Sequence, residues 1–304
     1  MSLITDWTEE KAKAFTHETL TVQHSLHERP MFDDAGLASL LDRYPRDKLG
    51  VFTMGHDPVD WTTWEHGQAG DLSGAELLEA VRRGRIWLNL RKTNDYLDDY
   101  AALEAEIFGE LAAKAPRTRT MKHDLGMLIS SANAHVFYHL DVPLVMLWQL
   151  RGVKTVYVYP VADPYIGDEQ LERIVLKETE EQFAFDLAWD AGAEVVELTP
   201  GKMVTWAQNA PHRVVNADVL NVSLSIEFMT PEALVRANVI YANGVLRRRL
   251  GTRPRIQRAF SATALGKVAL ARGVKKLGLA KAYQNVHPKT FMLDKTELGR
   301  LVPR

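Results

Sequence analysis

The chain has 304 residues, 46% of them hydrophobic and 25% charged, with a formal net charge of −2. That composition fits a globular protein of one large domain or two modest ones, with volume for a sizeable core. No cysteine occurs, which excludes disulfides, thiolate metal sites and a cysteine nucleophile, and the longest apolar run, around Val142 to Leu150, is far short of a bilayer span.

In chain order, the opening MSLITDWTEEKAKAF is polar and acidic, without the apolar core of a signal peptide, and a cytoplasmic protein is expected. Residues 1–118 read as a mixed, mainly helical elaboration. SGAELLEAVRRG starts on a Ser/Gly cap, carries apolar residues at helical spacing and stops at a glycine. IWLNL follows as a short strand. NDYLDDYAALEAEIFGELAAKA reads as one long amphipathic helix with its acids early, where the helix dipole favours them. PRTRTMKHD is a polar connector.

Between residues 119 and 230 the texture changes. Short β-rich runs recur: GMLISS, HVFYHLD, LVMLWQL, KTVYVYP, EVVEL, MVTWA and LNVSLSIEF. Gly152, Pro200–Gly201, Asn209 and Pro211 punctuate them, and a helical stretch near 168–189 interrupts them. Many short strands at this spacing predict an antiparallel sandwich or small barrel. The fold class is therefore mainly β with flanking helices, α+β overall. From 231 to 304 the pattern turns helical and strongly basic.

The stretch YHLDVPLVMLWQLRGVK, residues 138–154, sets titratable side chains in an apolar run. Residues two apart on a strand share a face, so His139 and Asp141 present an imidazole and a carboxylate side by side. A turn at Arg151–Gly152 folds the next strand back, and Lys154 begins it. Downstream, TPGKMVTWAQNAPHRVVN opens on a Pro-Gly turn, and His212 follows a proline-containing bend. A single histidine in a β-rich segment is ordinarily a hydrogen-bonded structural residue, and a lysine at a strand start is ordinarily exposed. Two histidines and one carboxylate on a rigid β scaffold, with no thiolate, form instead the facial triad suited to Fe(II) with open positions for O2 and a keto acid. The far carboxylate of that keto acid needs a cation, and Lys154 is placed to supply it. His135 shares the strand face of His139 and reads as a lining or rim residue. His24, His27 and the His123–Asp124 pair read as solvated or structural, and the seven tryptophans as core, with Trp87 and WTTWEHG candidates for a substrate entrance.

HLD, QLRGVKTVYVYP with its lysine thirteen residues after the aspartate, and PGKMVTWAQNAPH together resemble a JmjC/cupin-like 2-oxoglutarate oxygenase domain. The likeness covers roughly residues 120–230. It implies a double-stranded β-helix (jelly-roll) fold in which His139, Asp141 and His212 bind Fe(II) and Lys154 binds 2-oxoglutarate. HRVVN matches the end of a general cupin motif and makes Asn216 a turn-stabilising residue. Val136 departs from the family, where Thr or Ser is common, so hydroxyl or amide help to the co-substrate falls to Ser225 or Asn221, or to Tyr138, which alternation turns away. The substrate, small molecule or macromolecule, is not legible.

Pro231 to Arg304 holds 16 Lys and Arg against 3 Asp and Glu, about +13, which leaves 21 against 36 to the first 230 residues, about −15. LRRRLGTRPRIQR is arginine-rich, and GKVALARGVKKLGLAKAY is a loosely amphipathic helix. The reading favoured for this region is a helical cap on the acidic body, or a homodimer contact, over nucleic acid or an anionic membrane. Two other functions stay open: a cupin metalloprotein without 2-oxoglutarate (lyase, isomerase or sensor), and a JmjC-like regulatory module binding through its basic tail.

Overall fold

Runs rich in Val, Leu, Ile and Met assemble into two sheets, which the computed structural model describes over residues 2–256, 258–279 and 288–304. The chain begins with helix α1 (Glu9–Ala14), strand β1 (Leu20–Gln23), α2 (Asp34–Arg43), β2 (Gly50–Thr53) and β3 (Glu65–Gln68). Next come α3 (Gly74–Arg83), β4 (Trp87–Leu90), α4 (Thr93–Tyr96) and α5 (Asp98–Lys114). The middle supplies β5 (Met121–Ser130), β6 (His135–His139), β7 (Leu144–Arg151), β8 (Lys154–Val158) and α6 (Asp168–Val175). Strands β9 (Glu194–Leu198), β10 (Lys202–Thr205), β11 (His212–Asn216) and β12 (Asn221–Met229) complete it. The chain closes with α7 (Pro231–Leu250), α8 (Ala262–Lys276), β13 (Lys289–Leu293) and β14 (Leu301–Pro303).

The architecture is mixed α+β. A ten-stranded sheet runs in the order β1-β10-β7-β12-β5-β4-β2-β3-β13-β14, and a four-stranded sheet runs β6-β11-β8-β9. Alternation on β12 sets the layers. Val222, Leu224, Ile226 and Phe228 turn to one face of the large sheet, joining the apolar residues of α2, α3 and α5 in the main core. Ser223 and Ser225 turn to the other. There Val145, Leu147, Val204 and Trp206 of the large sheet side meet Val156, Val158, Leu198 and Val214 of the small sheet in a second cluster.

Local chemistry explains several elements. Ser73 and Glu76 form a reciprocal capping box at the start of α3. The long helix expected from residue 94 is broken instead at Leu97, whose backbone is extended at φ −135°. The break follows from tertiary ties: the Thr93 hydroxyl donates to the Leu125 carbonyl, and Asn94 Oδ1 accepts from Leu125 N, which fastens α4 to β5. The helical stretch expected over 168–189 is α6 followed by a non-helical segment and one short 3-10 turn at Leu187–Gly192.

Three further differences from the sequence reading matter for the site. MKHD belongs to β5 rather than to a connector, because the strand gains partners on both β4 and β12. The turn at Arg151–Gly152 does not close a hairpin; β7 pairs with β10 and β12 while β8 pairs with β9 and β11, so the turn carries the chain from one sheet to the other. The C-terminal stretch is not helical throughout, since β13 and β14 extend the large sheet beyond β3. Strands from 1–118, 119–230 and 231–304 thus share one sheet, and residues 280–283 of the expected basic helix lie outside the described residues.

Leu224 sits fully buried on the central strand β12, between β5 and β7. Leu224→Ala is expected to lower folding stability by about 3 kcal/mol, the range of a buried leucine truncation, measured by urea denaturation.

Candidate metal centre

Two adjacent strand ends build the site. Strand β6 ends at His139, β11 begins at His212, and the antiparallel register sets the two residues directly opposite one another. Their rings lie 4.1 Å apart. Asp141 follows two residues beyond His139, and the chain there is anchored by the Asn209 amide donating to the Asp141 carbonyl at 3.1 Å. His212 Nε2 lies 3.3 Å from Asp141 Oδ2, and one ligand atom from each of the three residues falls within 4.8 Å of the others.

The outer nitrogens are already committed. His139 Nδ1 lies 2.7 Å from the Phe137 carbonyl and His212 Nδ1 lies 3.1 Å from the Ala210 carbonyl. A carbonyl only accepts, so each Nδ1 carries a proton and each Nε2 is the ring nitrogen turned towards the metal position. Burial, followed by the charge of His212, pushes the His139 imidazole down to about 4. Burial acts to raise the Asp141 carboxyl, but the hydrogen bond and charge of His212 and the charge of His139 outweigh it and hold the group below the usual carboxylate range. Neutral imidazoles and an ionised carboxylate are the ligating forms, so the set fits a divalent metal.

A cavity of about 140 Å³ opens beside the three residues. Its far wall is the inward face of β4, β5 and β12, with Asn89, Gly126, Leu128 and Ser225. A Cβ at Gly126 would stand 3.2 Å from the Ser225 carbonyl, so the glycine keeps that wall open. Asn89 Oδ1 is enclosed and has no hydrogen-bond partner among the described residues. Arg91 crosses the rim, held by Asp124 at 2.8 Å and Glu227 at 2.6 Å.

Lys154 lies deeper. It is 4% exposed, begins β8 opposite Asn216 and Leu198, and has no hydrogen-bond or ion-pair partner among the described residues. Burial alone pushes its ammonium down to about 7. Val158, opposite His212, is four residues further along β8, about 13 Å of strand. Lys154 does not line the cavity, and the Val156–Val214 pair stands between it and the three ligands.

Ser225 lines the cavity, whereas Asn221 does not. Asn221 Oδ1 accepts from Gln149 Nε2 at 2.7 Å, and Ser223 donates to Gln149 Oε1 at 2.6 Å, a buried chain tying β12 to β7. Asn216 donates to Ser130 Oγ at 2.8 Å and to the Ser131 carbonyl at 2.9 Å, which fixes the end of β11. His135 is engaged by Arg85, and His24 lies against Trp148. Sequence reasoning missed Asn89, Arg91, Asp124 and Glu227. Alternation in IWLNLRK already sets Trp87, Asn89 and Arg91 on one face, and that was the available signal.

In metal-free protein both histidines are expected to carry their proton on Nδ1, and His139 to stay neutral well below pH 6, as read by long-range ¹⁵N–¹H NMR. The sign for stability follows: as pH falls from about 6.5 towards about 4, the unfolded chain takes up a proton that folded His139 refuses, so stability is withdrawn across that window.

No family model and no curated protein matches the sequence. Among solved structures, an X-ray structure of ycfD from E. coli is similar at 17% identity, covering 94% of this chain and 71% of that one with a TM-score of 0.51. A crystal structure of the ribosomal oxygenase YcfD from Escherichia coli aligns at 15% identity over 95% of this chain and 75% of its own, TM-score 0.45. A prolyl-4-hydroxylase from Pseudomonas putida aligns at 13% over 72% and 96%, TM-score 0.35. Among the described residues no helix is long and apolar enough to cross a membrane. The chain shares the fold of ycfD.

Proposed function

We propose that this protein is a cytoplasmic, non-haem Fe(II)- and 2-oxoglutarate-dependent oxygenase. Its catalytic core is a double-stranded β-helix in residues 119–230, elaborated by 1–118 and 231–304. The observation that carries the reading is the convergence of two imidazole Nε2 atoms and one carboxylate at the rim of a cavity. Two nitrogens and one oxygen leave coordination positions for exogenous ligands, which is the donor set of non-haem Fe(II) oxygenases rather than of a closed structural zinc site. The fold shared with ycfD accords with it.

When bound, Fe(II) supplies O2 activation coupled to oxidative decarboxylation of 2-oxoglutarate and oxidation of a substrate C–H bond. The chain's own residues do the rest. His139, Asp141 and His212 hold the metal, and the Phe137 and Ala210 carbonyls keep the imidazoles turned. Lys154, buried and unpaired, offers a cation to the far carboxylate of the keto acid. Asn89 and Ser225 offer hydrogen bonds from the wall. Val145, Leu147, Val214 and Trp206 keep water from the chamber. A volume of about 140 Å³ is small beside the roughly 300–1,000 Å³ of pockets that engulf a drug-sized ligand. The substrate therefore presents one protruding group while its bulk stays outside. A metal-binding cupin without keto-acid chemistry is the second reading, favoured by the separation of Lys154 from the cavity.

Protein loaded anaerobically with Fe(II) and then given 2-oxoglutarate and O2 is expected to release succinate slowly even without substrate, and Asp141→Ala to lose both iron and turnover. An Asp141→Ala protein that kept both would overturn the assignment, and wild-type protein that bound iron but ignored 2-oxoglutarate would select the second reading.

The depressed Lys154 ammonium gives a second test. Binding a dianion draws a proton onto this lysine, so above pH 7 the affinity for 2-oxoglutarate falls by up to about tenfold per pH unit. Calorimetry on the Mn(II)-loaded protein is expected to show that decline and to lose it in Lys154→Arg, whose guanidinium stays charged.

A further inference from the structure

The described chain exposes eleven large hydrophobic side chains, and six of them, Leu250, Phe260, Leu265, Leu270, Leu277 and Leu279, fall between residues 250 and 279. The same part of the chain lacks acids. From Ala233 to Leu293 the sequence carries 13 Lys and Arg and not one Asp or Glu. Some of these cations serve the fold: Arg247 pairs with Glu172, Arg248 with Glu178, and Lys275 donates to Asn238. Arg249, Arg253, Arg258, Arg272 and Lys276 have no ion-pair partner among the described residues. Concentrated apolar exposure on an otherwise well-covered surface marks an interaction site.

Helix α8 shows how the two features are arranged. At 100° per residue, Ala264, Lys267, Ala271 and Val274 form one face, buried against α7 and Leu176. Away from that face Ala269, Gly273, Gly266, Leu277 and Leu270 follow one another around the helix, and Leu265 lies between Arg272 and Lys276 along their flank. A Cβ at either glycine would meet nothing within 4 Å, so this face is open.

We propose that residues 250–279 dock the protein on an anionic membrane surface, with the leucines of α8 in the headgroup boundary and the flanking Arg and Lys on lipid phosphates. Charge complementarity selects this occupant. A second copy would bring two acid-free, cationic helices together, and a nucleic acid would use the cations but leave the leucines in water. An anionic bilayer uses both, since apolar side chains enter the acyl boundary while long cationic stems reach back to the phosphates. No described helix is able to span, so the attachment is interfacial and reversible. This inference goes beyond the oxygenase reading and stands independently of it.

Co-sedimentation of the full chain with vesicles tests it. Binding is expected to vesicles of phosphatidylcholine and phosphatidylglycerol in equal parts, not to pure phosphatidylcholine, and to weaken with salt. The double variant Leu265→Ser/Leu277→Ser, altered only at exposed positions, is expected to lose about tenfold in affinity, as is Arg272→Glu/Lys276→Glu. Circular dichroism and Mn(II) affinity, unchanged in both variants, would show the fold and the metal centre intact. Absence of vesicle binding, or binding indifferent to the leucine substitutions, overturns the proposal. A leucine-dependent dimer by light scattering without vesicle binding assigns the face to a second copy, and salt-sensitive RNA binding indifferent to the leucines assigns the charge to nucleic acid.

Discussion

The site depends on the antiparallel pairing of β6 with β11, because that register alone makes His139 and His212 neighbours. They are 73 positions apart in the sequence, and only the ladder brings their rings to 4.1 Å. A slip of one residue would turn one imidazole out of the cavity, since side chains on a strand alternate between faces. The register is held from both sides. β8 pairs with β11 along its length, from Val158 opposite His212 to Lys154 opposite Asn216, and the Asn216 amide is bound to Ser130 and Ser131. The small sheet thus fixes the relative placement of the two imidazoles.

The large sheet performs the complementary task. Its outward face is largely apolar and packs on the helices, which makes it a rigid backing. Its inward face carries polar residues, some tied in buried hydrogen bonds and some lining the cavity. Asn89 is the clearest case. An enclosed amide oxygen without a partner among the described residues is costly in a dry core, and Asn89 sets one on a strand of Trp87, Leu88 and Leu90 beside the cavity. Lys154 poses a related question outside the cavity, behind the Val156–Val214 pair: burial alone pushes its ammonium down to about 7.

Much of this was legible in the sequence, and the limits have physical causes. His139 with Asp141 follows from strand alternation, a local rule, while the arrival of His212 beside them is non-local and came through resemblance to a family pattern. Helix α3 was readable because its cap is written in adjacent residues. The break at Leu97 was not, because Thr93 and Asn94 are tied to Leu125 some thirty positions away. The Gly152 turn looked like a hairpin because a tight turn between two apolar runs looks the same whether the strands pair or part between sheets. Asp124 and Glu227 stayed hidden for a related reason: a carboxylate on a strand face reads as solvent-exposed until the opposite sheet closes over it.

The uneven charge of the chain ties these layers together. The acidic excess lies in the part of the sequence that also builds the metal centre, and Arg91 answers part of it locally by clasping Asp124 and Glu227 at the rim. The basic excess lies in the last quarter, where Arg247 and Arg248 are committed to the acids of α6 and its neighbour Glu178. A cap on the acidic body accounts for the pairs of Arg247 and Arg248 but gives no role to the exposed leucines of this region. Instead α8 buries one face on α7 and leaves an apolar, cation-flanked face outward. That face, apolar and cation-flanked, is the one proposed above to meet an anionic surface.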